Sequence, residues 1–280
     1  MPASTPPVPD RPAFTQAELV QHNQQAWDAM AAQDVPWSRP VNAEQIAAAR
    51  RGELLPQLTP GPLRPHWLGS LVGARVLCLA SGGGQQAPLL AALGEAVGIE
   101  VTVFDLSETQ LAYDRMVAQR EGLALRCVQG EMSDLSVFAD ASFDLVFHPI
   151  SNHYVPDVRP VWRECARVLR PGGRLLASFY NPVLFIGDRD PQWQAQGLVR
   201  PCYRIPYADS RDLAPEALSA KRGRGEALVH GHSLAELIGG QLEAGLLLAD
   251  FQEDWQPQPR FLVDRVMPTF IATLAIKPAA

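Results

Sequence analysis

From residue 74 onward the chain alternates short apolar runs with helix-forming stretches, and that rhythm restricts the fold more than any other feature of the sequence. Residues 75–80, 100–106, 125–129, 143–148 and 174–180 read as strands. The stretch to about residue 93 reads as a helix, and Ser107-Glu108-Thr109-Gln110 has the pattern that caps a second. A third spans 157–169 with Val161, Cys165, Val168 and Leu169 on one face, ended by Pro171-Gly172-Gly173. Strands that are apolar throughout are buried on both faces, and successive βα units lay them parallel. The prediction is an α/β fold, a doubly wound sheet closed by two further strands at 246–251 and 270–276.

Three segments lie outside the rhythm. Residues 1–12 carry five prolines and few large apolar groups, the composition of a disordered lead-in. Residues 13–73 form an N-terminal helical cap, with a capping box at Thr15-Gln16-Ala17-Glu18, a connection at 35–40, a helix near 43–51 and a proline-rich loop at 56–65. Residues 181–231 hold five prolines, Phe185, Trp193, Tyr203, Tyr207 and the basic cluster Lys221-Arg222-Gly223-Arg224. So long an irregular insertion reads as a lid over a site, with the basic cluster as its solvated surface. Ser233 to Glu236 caps one more helix, to about residue 244. A net charge of −6 offers no basic footprint for nucleic acid. No run approaches the ~18 apolar residues of a membrane span. Cys78, Cys127, Cys165 and Cys202 are far apart with no C-x-x-C pair, which suits reduced thiols in a cytoplasmic protein. The oligomeric state is not legible.

The chemistry concentrates where the first strand ends. Val76-Leu77-Cys78-Leu79 runs into Ala80, Ser81, Gly82, Gly83 and Gly84. Three glycines after a strand let the backbone approach a ligand, and the helix that follows offers free N–H groups. They also suit a tight strand-to-helix turn. Asp105 lies at the end of the next strand, about 20 residues on, where a carboxylate accepts from both ribose hydroxyls of an adenosine cofactor or caps the next helix. These two features point to an adenosine-containing cofactor without choosing between NAD and S-adenosylmethionine.

The run V-L-C-L-A-S-G-G-G at 76–84 resembles motif I of class I S-adenosylmethionine-dependent methyltransferases, usually close to V-L-D-L-G-C-G-T-G. F-D-L-S (104–107), G-E-M-S-D-L (130–135), S-F-D-L-V-F (142–147) and R-V-L-R-P-G-G (167–173) are similar to that family's later motifs, in the same order. The resemblance implies a Rossmann-like seven-stranded sheet of order 3-2-1-4-5-7-6 with one antiparallel strand. It implies S-adenosylmethionine as cofactor, held by the loop 80–84, by Asp105 and Leu106 at the ribose, and by Glu131 and Met132 at the adenine. Two departures stand out. Cys78 replaces the acid of motif I, so the methionine end of the pocket must be built differently, and Ala80 replaces its first glycine.

The acceptor is expected to be a small molecule at the loop after the fourth strand, His148-Pro149-Ile150-Ser151-Asn152-His153-Tyr154. His148 and Asn152 are the catalytic candidates, His148 as a base or as a wall of the cofactor pocket, with the wall reading favoured. His153 is a weaker candidate. His230 and His232 lack a third ligand, and no metal is expected. A cofactor-binding protein without catalysis and an NAD(P)-dependent dehydrogenase are the alternatives.

Overall fold

The computed structural model describes residues 14–33, 38–188 and 191–279. The expected lead-in at 1–12 and part of the connection at 35–40 lie outside the described residues. Seven strands form one sheet: β1 Arg75–Leu79, β2 Glu100–Asp105, β3 Leu125–Gln129, β4 Phe143–His148, β5 Leu169–Tyr180, β8 Leu247–Asp254 and β9 Phe270–Ile276. Their order is β3-β2-β1-β4-β5-β9-β8, parallel except for the antiparallel pairings of β9 with β5 and β8. This is the order implied by the family resemblance.

Alternate residues of each strand enter opposite cores. Val76 and Cys78 of β1, Leu145 and Phe147 of β4 and Leu176 of β5 pack under helices α4 (Gln86–Gly94) and α5 (Glu108–Glu121). Leu77, Leu79, Val146, Leu175 and Ala177 pack on the other face, under Val161, Trp162 and Cys165 of α6 (Arg159–Val168). Trp162 is fully buried and donates from Nε1 to Glu236 O at 3.0 Å. That bond ties α6 to the turn of π-helix at Ala235–Gly239, which continues into α10 (Gly240–Glu243).

β5 differs from its expected start. It begins at Leu169, five residues early, and the β4–β5 register shifts between Phe143 and Leu145 where β5 absorbs Pro171-Gly172-Gly173. Gly172 takes φ +77°, so the turn that ends α6 is made within the strand's own path.

The N-terminal cap contains α1 (Gln16–Ala31), α2 (Ala43–Arg50) and the one-turn α3 (Pro65–Leu68). Thr15 and Glu18 form the expected capping box on α1. The 181–231 segment is more regular than its composition suggests: it carries α7 (Pro191–Ala195), β6 (Tyr207–Ala208), α8 (Asp209–Asp212), α9 (Pro215–Gly223) and β7 (His230–Gly231), with β6 and β7 paired. Buried Asp209 organises it, accepting from Tyr207 Oη at 2.7 Å, Val229 N at 2.8 Å and Lys221 Nζ at 2.5 Å. Lys221 is therefore a half-buried ion-pair partner of Asp209 rather than solvated lid surface, and Arg222 lies over the Phe14 ring. Arg224 is exposed, as expected, beside Glu226.

α1 and this segment are joined. Asn23, 2% exposed, donates from Nδ2 to Tyr154 O and Leu228 O, both at 3.1 Å, and accepts from Leu228 N at 2.8 Å. His22 Nε2 lies 2.9 Å from Glu226 O. Replacing Asn23 with Ala strands buried backbone groups on both partners. Asn23→Ala should cost about 2–4 kcal/mol in chemical denaturation and speed amide exchange across 226–232; a loss under about 0.5 kcal/mol would mean that α1 is held by other contacts.

Candidate cofactor and acceptor site

The β1–β2–β3 carboxyl edge brings together most of the residues singled out in the sequence. β1 leaves the sheet at Ala80, whose N–H still donates to Phe104 O at 2.8 Å. Gly130 N donates to Asp105 O at 3.0 Å, so the third strand's exit is tied to the second's. Ala80 holds φ +47°, a left-handed conformation that costs a non-glycine residue roughly 1 kcal/mol or more, at the position where the family usually has glycine. Gly82 and Gly84 follow at +79° and +68°. A methyl group on Gly83 would collide with the carbonyl oxygen of Gln110. The loop is thus pressed against α5: Gly83 N donates to Gln110 Oε1 at 2.6 Å and Gly84 N to Asp114 Oδ1 at 2.9 Å. Ser81 is buried, and its hydroxyl oxygen has no partner.

Asp105 stands half-buried at the end of β2, accepting from Ser107 N at 2.9 Å through Oδ1. Burial pushes its carboxyl up to about 6 against that bond, and the nearby Asp28 adds to the rise. Asp28, on α1, accepts from Ser107 Oγ at 2.5 Å and Thr109 N at 3.2 Å and so caps α5 from outside. Leu106 is half-buried beside Asp105, and its carbonyl accepts from Gln129 Nε2. Glu131 and Met132 are half-buried after β3, Glu131 bonded to the Ser133 hydroxyl and Met132 packed on the α6-side core.

The loop after β4 is built differently from an open reactive turn. His148 is fully buried; its Nδ1 lies 2.8 Å from Leu79 O, and its ring meets Trp162 edge-on at 5.9 Å. A carbonyl only accepts, so Nδ1 carries the proton and Nε2 presents its lone pair, buried and without a partner. Asn152, 1% exposed, donates from Nδ2 to Ser178 O at 2.7 Å, and its carbonyl takes the His232 Nε2 at 3.2 Å. Ser151 Oγ bonds to Ala80 O, linking this loop to the glycine loop. His153 and Tyr154 form one ring cluster: Tyr154 meets Trp27 of α1 edge-on at 5.1 Å, and His153 lies 3.9 Å from Tyr154 and 5.2 Å from Tyr180. Arg260 covers Tyr180.

His230 and His232 stack at 6.3 Å, and among the described residues no group of three or more His, Cys, Asp or Glu side chains is placed to hold a metal. All four cysteines are free. No helix among the described residues is long and apolar enough to cross a membrane. Sequence reasoning missed Asn23, Asp28, Gln110 and Asp114. The first two act on partners about eighty or more residues away, which no local pattern reveals. Gln110 and Asp114 had a signal, a polar pair four apart flanking the core residue Leu111.

Residues 77–177 match the family model of the methyltransferase domain. Over 260 residues the chain is 42% identical to a methyltransferase of uncharacterised function from Bacillus subtilis, YbaJ, covering 92% of this chain and 98% of that one. The chain belongs to this methyltransferase family. Solved structures share the fold: an S-adenosylmethionine-dependent methyltransferase of Mesorhizobium loti (TM-score 0.53, 21% identity, 75% of this chain and 94% of that one). A second is the putative methyltransferase bound to the Trm112 activator in Haloferax volcanii (TM-score 0.56, 18% identity, 92% and 98%). The protein is an S-adenosylmethionine-dependent methyltransferase.

The buried histidines give the enzyme a defined response to acid. Burial holds His148 and His230 down to about 4 and His153 to about 3. Unfolded histidine protonates near 6.5, so the unfolded chain takes up these protons first and stability falls as pH drops from about 6.5 towards 4. Asp105 opposes this, because its raised value lets the folded state bind a proton below about 6. Each histidine contributes up to about 1.4 kcal/mol per pH unit. The denaturation midpoint should therefore drop between about pH 7 and pH 5, and drop less steeply in the His153→Gln/His230→Gln double variant. Parallel pH profiles for the two proteins would contradict the assignment.

Proposed function

We propose that this methyltransferase acts on a small, largely apolar acceptor in the cytoplasm, docked against the ring cluster at the carboxyl ends of β4 and β5. The observation that carries the reading is the enclosure of that cluster: Trp27, His153, Tyr154 and Tyr180 are in ring contact, while Asn23 joins α1 to the 226–232 segment over the same loop. An enclosed aromatic wall favours a compact acceptor over a protein or nucleic-acid surface, as does the net charge of −6. Four free thiols suit a reducing compartment. The α1 helix and the 181–231 segment together serve as the lid.

The cofactor supplies the electrophilic methyl group, and the residues at the carboxyl edge fit it. Gly82, Gly83 and Gly84 give a backbone close approach, with Ala80 and Ser81 completing the loop and the Ser81 hydroxyl free to bond a ligand. Asp105, ionised at neutral pH, accepts from the ribose hydroxyls with Leu106 beside it, and Glu131 and Met132 flank the adenine. His148 acts as a wall and, through Nδ1 on Leu79 O, a tie between β4 and β1 rather than as a base, because its ring is fully buried and burial holds its basicity down to about 4. Asn152 orients the loop through Ser178. Catalysis is then mostly alignment of the acceptor with the transferring methyl group.

Incubating the enzyme and deuteromethyl-labelled S-adenosylmethionine with a fractionated cell extract should place the label in the small-molecule fraction. Label confined to protein or nucleic acid would overturn the reading. With an acceptor in hand, His148→Ala should chiefly raise KM, whereas loss of a general base would lower kcat by ~10²–10⁴-fold.

A further inference from the structure

Cys78 stands where this family's glycine loop ordinarily has its acid, yet the loop does not lack a carboxylate. Asp114 of α5 is 1% exposed, and its Oδ1 accepts the Gly84 N–H at 2.9 Å. One turn earlier on the same helix, Gln110 accepts the Gly83 N–H at 2.6 Å and donates from Nε2 to Ser38 Oγ at 2.7 Å, with Ser38 also buried. Two successive amides of the loop are therefore held by two side chains four residues apart. The close approach of the loop to α5 is possible only because residue 83 has no side chain. The second oxygen of Asp114 is buried without a partner, as is the Ser81 hydroxyl within the loop.

Asp114 and Cys78 belong to the same buried neighbourhood. Burial pushes the Cys78 thiol well up, and the Asp114 charge adds to the rise. Burial likewise pushes the Asp114 carboxyl up, against the bond from Gly84. A carboxyl group so enclosed is costly unless its oxygens are hydrogen-bonded, and only one of these is. Cysteine at 78 removes a second acid that would otherwise face it in the same low-dielectric space.

We infer that Asp114 is the acid of the glycine loop, supplied from α5 in place of residue 78, and that it positions the loop for the cofactor through the Gly84 N–H. The role follows from chain geometry: β1 and α5 both border the loop, and Asp114 holds the Gly84 amide while lying close enough to Cys78 for its charge to act on the thiol. The inference rests on the reading that this loop holds the cofactor.

Titration calorimetry with S-adenosylhomocysteine tests it on the full chain, comparing wild type, Asp114→Ala, Asp114→Asn, Cys78→Asp and Cys78→Asp/Asp114→Asn, with ligand-free melting midpoints for each. Asp114→Ala should weaken binding by roughly tenfold or more, the scale of leaving the buried Gly84 N–H without its partner. Asp114→Asn keeps an acceptor for Gly84 and removes only the acid. Moving the acid back to β1 in the double variant should restore affinity to within about threefold of wild type, whereas Cys78→Asp alone, with two buried acids, should melt lower. A purely structural role for Asp114 on α5 would not be rescued by an acid placed on β1. The inference is overturned if folded Asp114→Ala keeps the wild-type Kd, or if the double variant binds no tighter than Asp114→Asn. If Asp114→Ala does not fold, the comparison of Asp114→Asn with the double variant decides. Wild-type protein that fails to bind would instead overturn the cofactor reading itself.

Discussion

β1 is hydrogen-bonded along both edges and buried on both faces, and everything that handles the ligand depends on that. Val76, Leu77, Cys78 and Leu79 have no exposed surface, and they pair with β2 on one side and β4 on the other. A strand so enclosed can end only by turning out at its carboxyl edge, between helices already packed on both faces. The turn must be narrow, and it consists of Ala80, Ser81 and three glycines. Parallel pairing then sets the neighbours: Leu79 aligns with Phe104 and Asp105 with Gln129, so the chain exits of three strands line one edge. The site is a consequence of sheet register before it is a property of particular side chains.

The sheet was legible because its signals are local. Parallel strands in the centre of a sheet are apolar throughout, and each predicted strand is found, with ends that differ by a residue or so except at β5 and at β8, which runs three residues past its expected end. There the signal misled: proline and two glycines read as a break, but the sheet tolerates the irregularity as a register shift beside β4. The 181–231 segment looks irregular in sequence for a related reason. Its helices run from four to nine residues, too short to hold without tertiary support, and two of the three begin at proline. Its organisation comes from Asp209, which gathers a phenol, an amide and an ammonium from separate turns. No periodic pattern announces such a centre.

The candidate site divides along the same line. The glycine loop, Asp105, Leu106, Glu131 and Met132 follow directly from strand ends, and the structure brings them to one edge. The loop after β4 is another matter. Its imidazoles, amide and hydroxyl suggested reactive variety, and the structure engages them in holding the loop to β1 and β5 through Leu79, Ala80 and Ser178. Polar groups in an enclosed turn need partners whether or not they meet a substrate. The acid at position 114 shows the converse. A departure visible in the sequence, Cys78, is answered by a residue 36 positions away that only the packing of α5 brings to the loop.

S-adenosylmethionine is proposed to sit on the carboxyl edge of β1, β2 and β3 with its ribose on Asp105. Calorimetric titration of S-adenosylhomocysteine into wild-type and Asp105→Ala protein at neutral pH measures it directly. A single site is expected in the wild type, weakened in the variant by about 1.5–3 kcal/mol, the range for hydrogen bonds to a charged group. A folded Asp105→Ala protein that binds as tightly as the wild type would contradict it.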